Sequence, residues 1–162
     1  MVGCLEVEAG EEEILATDAP RKIKVAVDSG AGDHVAAAEL VGTHLVTPSA
    51  GSRNGCHFVS ASGDRMKNRG QAKLKLGDPR AKTVLTSTFQ VADVTRALYS
   101  VSKMCDEGCI VTFNESEGVV TKDGKVVARF VREGGLYVAE LEILGSADDA
   151  KPSPFTRQGG EE

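Results

Sequence analysis

The chain is expected to fold as a mostly β domain, with a closed or strongly twisted sheet and one short helix. Three observations predict this. Gln71 to Leu76 alternates polar and apolar residues, the period-two signature of a half-buried strand. Runs rich in Val, Thr and Phe recur between Gly-, Asp- and Pro-containing breaks. Only Ala97 to Gly108 spaces its apolar residues by three and four, at Leu98, Val101, Met104 and Cys105, with Gly108 as a C-terminal stop.

Taken in order, residues 1–20 read as a flexible acidic tail. Glu11-Glu12-Glu13 is a solvated charge run, and Asp18-Ala19-Pro20 breaks the chain before the first strong strand. Ile23 to Val27 is that strand, ending on Asp28 and a Ser-Gly turn. Ala36 to Leu40 fits a short helix or turn, and Thr43 to Asn54, rich in Pro, Ser and Gly, reads as loop. His57 to Ala61, Ser62-Gly63-Asp64 and Arg65 to Lys67 form a hairpin signal with few large apolar residues. Lys82 to Val91 is a further strand after the Gly77-Asp78-Pro79 turn. Beyond the helix come strands over Cys109–Phe113, Gly118–Thr121, Lys125–Val131 and Leu136–Leu144, with Asp123-Gly124 as a strong hairpin turn. The domain is therefore placed at 21–144, with 109–144 as extra hairpins and 145–162 as a second flexible tail.

Composition narrows the function. The chain has 162 residues, enough for one domain with a real core. Aromatics make up only 4% of it and Trp is absent, which argues against base-stacking platforms for nucleic acid. The net charge of -5, without a basic block, argues against nucleic-acid or anionic-membrane partners. No apolar run approaches a membrane span, and the acidic N-terminus lacks the features of a signal peptide, so an intracellular location is expected. Cys56, His57, Cys105 and Cys109 can be drawn as a zinc site. No second spaced pair supports it, and the reading favours buried or free thiols, no metal and no cofactor.

The chemistry-bearing stretch is Val27-Asp28-Ser29-Gly30-Ala31. It puts a carboxylate at a rigid strand end, a hydroxyl beside it, and a glycine that permits positive φ or close approach of another chain. Two facing aspartates across one water are the machinery of an aspartic protease, and they share one proton because like charges so close cannot both ionise. Asp-Ser-Gly occurs once here, so such a site needs a symmetric homodimer with Asp28 from each copy.

Further stretches follow this motif in a set order: Gly32-Asp33-His34-Val35, Ser60-Ala61-Ser62-Gly63-Asp64, Phe89 to Val94, Leu98 to Met104, and Gly118 to Tyr137. In that order, over roughly residues 22–142, the chain resembles the retropepsin-like proteases of Copia-type (Ty1/Copia) retrotransposon polyproteins. The resemblance implies a retropepsin-like barrel and an endopeptidase acting on polypeptide substrates. It implies that Asp28 is catalytic and that Ser29, Gly30 and Ala31 support it, with Ser29 bonding across the dimer. Ser60, Ala61, Ser62, Gly63 and Asp64 would be the flap tip closing over substrate. Leu98, Tyr99 and Ser100 would pack under the site. Tyr99 is bulkier than the family's usual Leu, and Ser100 stands where viral relatives have Gly. His34 matches a histidine that follows the family's signature, and a hydrogen-bonding structural role is expected for it rather than proton transfer.

Two readings stand beside each other. One is a homodimeric aspartic endopeptidase. The other is a retropepsin-fold dimerisation or peptide-binding module whose catalysis has lapsed.

Overall fold

Two strands from the middle of the chain form the longest ladder. In the computed structural model, which describes residues 21–60 and 62–147, β5 (Gly70–Asp78) and β6 (Thr83–Val91) pair antiparallel from Gly70↔Val91 to Asp78↔Thr83. Their alternate residues Ala72, Leu74, Leu76, Leu85 and Phe89 point to one side and are fully buried. The period-two pattern thus becomes one wall of a core.

The remaining described elements are β1 (Arg21–Asp28), β2 (Val35–Ala36), α1 (Ala38–Val41), a 3-10 turn (Thr43–Leu45), α2 (Ala50–Arg53), β3 (His57–Val59), β4 (Arg65–Lys67), β7 (Ala97–Ser100), α3 (Val101–Asp106), β8 (Ile110–Phe113), β9 (Glu117–Lys122), β10 (Lys125–Glu133) and β11 (Leu136–Ser146). Six strands, in the order β1-β7-β2-β6-β5-β11, close on themselves because β11 also pairs with β1. That closure is antiparallel, from Arg21↔Ile143 to Ala26↔Val138. The all-β barrel expected from the sequence is the observed fold, and closure leaves these strands few open edges.

One crossing positions the site. β7 is inserted between β1 and β2. It runs parallel to β1, from Val25↔Ala97 to Asp28↔Ser100, and pairs with β2 through Val35↔Leu98. The turn between β1 and β2 therefore straddles the end of β7.

The core centres on Tyr99, Phe89 and Phe130, all buried. Tyr99 meets Phe89 at 5.3 Å and Phe130 edge-on at 6.0 Å between ring centroids. Burial of each ring contributes about 1.5–3 kcal/mol. The Tyr99 hydroxyl is satisfied by Ser87 at 2.7 Å, and burial pushes its ionisation well above the usual phenol range.

Several expectations change. Ala97–Ser100 is strand, not the start of the helix, which occupies only Val101–Asp106. The switch comes at Ser100, whose hydroxyl caps α3 by accepting from the Lys103 amide at 3.1 Å. The expected single helix is joined by α1 and α2. The latter is started by a reciprocal cap between Ser49 and Ser52 inside the stretch read as loop. Residues 109–144 divide. β8 and β9 lie at the outer end of the sheet, whereas β11 is a barrel strand and β10 pairs with it. The domain also runs past 144, since β11 continues to Ser146 and the buried Ala147 donates its amide to the Lys73 carbonyl at 3.0 Å. Residues 1–20, Ala61 and 148–162, with the two expected tails and Cys4, lie outside the described residues.

β10 is bound to the β5–β6 turn by Asp78, which is buried. Its Oδ1 accepts the amides of Arg80 and Ala81, and its Oδ2 accepts the Arg129 amide at 3.1 Å. The Thr83 hydroxyl adds a bond to the Val127 carbonyl at 2.8 Å.

Candidate active site

The site begins where β1 runs out. Asp28 ends the strand half-buried, and its Oδ1 accepts the Gly30 amide at 2.7 Å, closing an Asx turn. Of the two uses open to Gly30, positive φ or close approach, it does not adopt the first. Its use is room: a Cβ there would stand 3.3 Å from Asp28 Oδ1, crowding that short bond. Ser29 is exposed at the turn, and its hydroxyl makes no hydrogen bond among the described residues.

The loop is held from below by Ser100 and His34. The Ser100 hydroxyl donates to the Ala31 carbonyl at 2.7 Å, and the Ser100 amide donates to His34 Nδ1 at 3.0 Å. His34 is buried, with the Tyr99 ring edge-on at 5.0 Å. Burial, with Lys103 nearby, drives its pKa down to about 3, so the imidazole is neutral and keeps Nδ1 as an acceptor. Asp33 accepts the His34 amide at 2.9 Å and lies 3.4 Å from Lys103 Nζ on α3. A structural, hydrogen-bonding role for His34 is what the geometry gives.

Opposite the loop stands the β3–β4 hairpin, a separate two-stranded sheet with Phe58 paired to Met66. Its tip is knitted by short polar contacts. The Ser60 amide donates to the Asp64 carbonyl at 2.8 Å, the Gly63 amide to the Ser60 carbonyl at 2.9 Å, and the Ser62 hydroxyl to Asp64 Oδ2 at 3.2 Å. Gly63 holds a φ of 94°, which other residues adopt at a cost. Ala61, the remaining tip residue, lies outside the described residues.

Between loop and hairpin lies an open cleft of about 1170 Å3. Asp28, Gly30 and Ala31 line one side, and Ser60, Ser62 and Asp64 line the other. Leu98 also faces the cleft rather than packing under the loop, while Tyr99, its neighbour on β7, points into the core. Ser100 is buried beneath the loop.

Sequence reasoning missed part of the lining. Phe58 and Met66 present the apolar face of the hairpin, and Asp93 to Arg96 form the rim leading into β7. The Phe58–Met66 pair was readable from the hairpin register. The rim carries no signal beyond the break in the β pattern after Ala92. Asp93 is tied to Arg69, at the hairpin base, by Nε to Oδ1 at 2.9 Å and Nη2 to Oδ2 at 2.7 Å. That pairing lowers the Asp93 carboxyl and raises the Arg69 guanidinium, and it ties the rim to the base of the hairpin.

The alternative zinc ligands are not brought together. Cys56 and His57 sit at the hairpin base and Cys105 and Cys109 flank the end of α3, and no metal-holding group of three His, Cys, Asp or Glu occurs among the described residues. Cys56 and Cys105 are exposed. Cys109 is buried, which pushes its thiol up to about 11.

Compared with family models, with curated proteins and with solved structures, the chain finds no match in any of the three.

Proposed function

We propose that the protein is an aspartic endopeptidase, assembled as a homodimer in which each copy supplies one Asp28. The observation that carries the reading is the position of Asp28. It stands at a strand end, in an Asx turn braced by Ser100, on the floor of a cleft faced by a hydroxyl-rich hairpin. A polypeptide substrate would lie extended between floor and hairpin, with its backbone offering hydrogen bonds to both. In the pair, one carboxylate takes a proton from the water that attacks the scissile carbonyl. The protonated partner donates to the carbonyl oxygen, and the proton then passes to the leaving nitrogen. No covalent intermediate is needed. The exposed Ser29 hydroxyl, without a partner in its own chain among the described residues, is free to bond across a two-fold axis.

The second reading, a peptide-binding or dimerisation module without catalysis, uses the same cleft. Cleavage of a diverse peptide library by wild type and Asp28→Asn separates the two. Cutting that disappears in the variant at unchanged fold supports the protease. Binding without cutting by wild type moves the assignment to the module.

A further inference from the structure

A second depression opens beside the main cleft. It encloses about 340 Å3 and shares Asp33, His57 and Phe58 with the larger space, so a chain lying in the cleft passes its mouth. Part of its wall is a cluster of carboxamides, set beside Ser49, Cys56, His57 and Phe58. Asn68, Gln71 and Gln90 line it, Gln71 and Gln90 being opposite one another on β5 and β6.

These amides are fixed in a directed chain. Buried Asn68 accepts the Ser49 hydroxyl at 3.1 Å and the Gly70 amide at 2.9 Å on Oδ1, and gives Nδ2 to Gln90 Oε1 at 3.0 Å. Gln90 Nε2 in turn donates to Gln71 Oε1 at 3.4 Å. The series ends on the Gln71 carboxamide nitrogen, which no described residue engages, while the Gln71 and Gln90 oxygens each keep a second lone pair. Backbone packing makes the arrangement rigid. Gly70 holds a φ of 130°, and a Cβ there would run into the Thr47 carbonyl oxygen.

A wall offering both a donor and acceptors matches a group that has both. The mouth carries one carboxylate, Asp33, already opposed by Lys103 at 3.4 Å. With that charge answered, hydrogen-bond matching decides: a carboxylate guest brings no donor for the Gln71 and Gln90 oxygens, and an ammonium guest brings no acceptor for the Gln71 amide.

We propose that this depression is a specificity pocket for a carboxamide side chain, glutamine or asparagine, of an extended peptide held in the main cleft. The inference rests on the cleft being a peptide site, as the proposed function has it, but not on cleavage. An apolar side chain would leave the Gln71 amide buried without a partner, which is how polar pockets discriminate strongly.

The test is selection of a displayed random peptide library on the Asp28→Asn protein, with Gln71→Leu and Gln71→Glu added in that background, folding being checked by circular dichroism. Enrichment of Gln or Asn at one fixed position, lost in Gln71→Leu and moved toward Lys or Arg in Gln71→Glu, is expected. If Gln71→Leu fails to fold, the Gln71→Glu shift decides alone. Peptides selected without an amide preference, an amide preference untouched by Gln71→Glu, or no peptide bound at all would each overturn the pocket. Cleavage by wild type, read separately on the same library, reports on the protease, so peptide binding with an amide preference and no cutting sinks that assignment and leaves the pocket standing.

Discussion

Ser100 gives its amide to the Nδ1 of His34 and its hydroxyl to the carbonyl of Ala31, at 3.0 and 2.7 Å. One residue at the end of β7 thus fastens the loop that follows Asp28 at two points. Removing His34 as an acceptor leaves the buried Ser100 amide without that partner, a cost of about 1–3 kcal/mol. His34→Phe is expected to destabilise by at least that amount in urea unfolding. His34→Gln, which can present a carbonyl oxygen, is expected to lose less.

The same imidazole sets an acid limit. Its folded pKa of about 3 lies below the ordinary 6.5, so between those values the unfolded chain binds the proton that the folded chain refuses. Stability from this group is full above pH 6.5 and is lost as pH falls toward 3, by an amount on the order of a few kcal/mol. Unfolding midpoints measured from pH 7 to pH 4 should fall steeply in wild type and more shallowly in His34→Gln. An equal slope in both would remove His34 as the cause. If the protein cleaves peptides as proposed, cleavage by wild type should be lost in acid no later than the fold is.

Ser100→Ala removes the cap of α3 and the bond to Ala31 together. Loss of the cap costs about 0.5–2 kcal/mol. If the protein is the proposed endopeptidase, cleavage should fall by more than that stability loss explains under conditions where the variant stays folded. Measuring kcat and KM alongside the melting curve checks this, with the effect expected in kcat.

Tyr99→Phe keeps the ring contacts to His34, Phe89 and Phe130 but deletes the hydroxyl that meets buried Ser87. A loss of about 1–2 kcal/mol is expected. Adding Ser87→Ala should recover part of it, because the orphaned hydroxyl goes too.

Thiol labelling at pH 8 should modify Cys56 and Cys105 quickly in the native protein and spare Cys109, which is buried and has a pKa pushed up to about 11. Mass spectrometry of labelled peptides reads each site separately. Fast native labelling of Cys109 would contradict its place in the core.

Long elements were legible in the sequence because their own residues dictate them. β5 and β6 announce themselves by alternation, and Asp123, with a φ of 54°, and Gly124 make the turn their residue types predict. β7 was not legible. Leu98, Val101, Met104 and Cys105 keep helical spacing, but Ala97–Ser100 is flanked by β1 and β2, and those pairings override four residues of local pattern. Of the candidate site, Asp28 and the hairpin were readable as motifs. The pairing of Phe58 with Met66 follows from the hairpin register, but the place of that pair and of the 93–96 rim in the cleft was not legible, since they come together only through the hairpin's placement over the barrel.

The closing seam of the barrel joins the start of the described chain to its end, pairing Arg21 with Ile143 and Lys22 with Glu142. During synthesis β1 emerges first and must wait more than a hundred residues for the strand that completes it. Until then the apolar side of Ile23 and Val25 has no lasting cover, and the loop bearing Asp28 hangs from an unfinished wall. Contacts this distant along the chain slow folding. On a ribosome, the Ser100 bonds that hold the Asp28 turn can form once β7 is out, but the wall from which the turn hangs is closed only after β11 has left the exit tunnel.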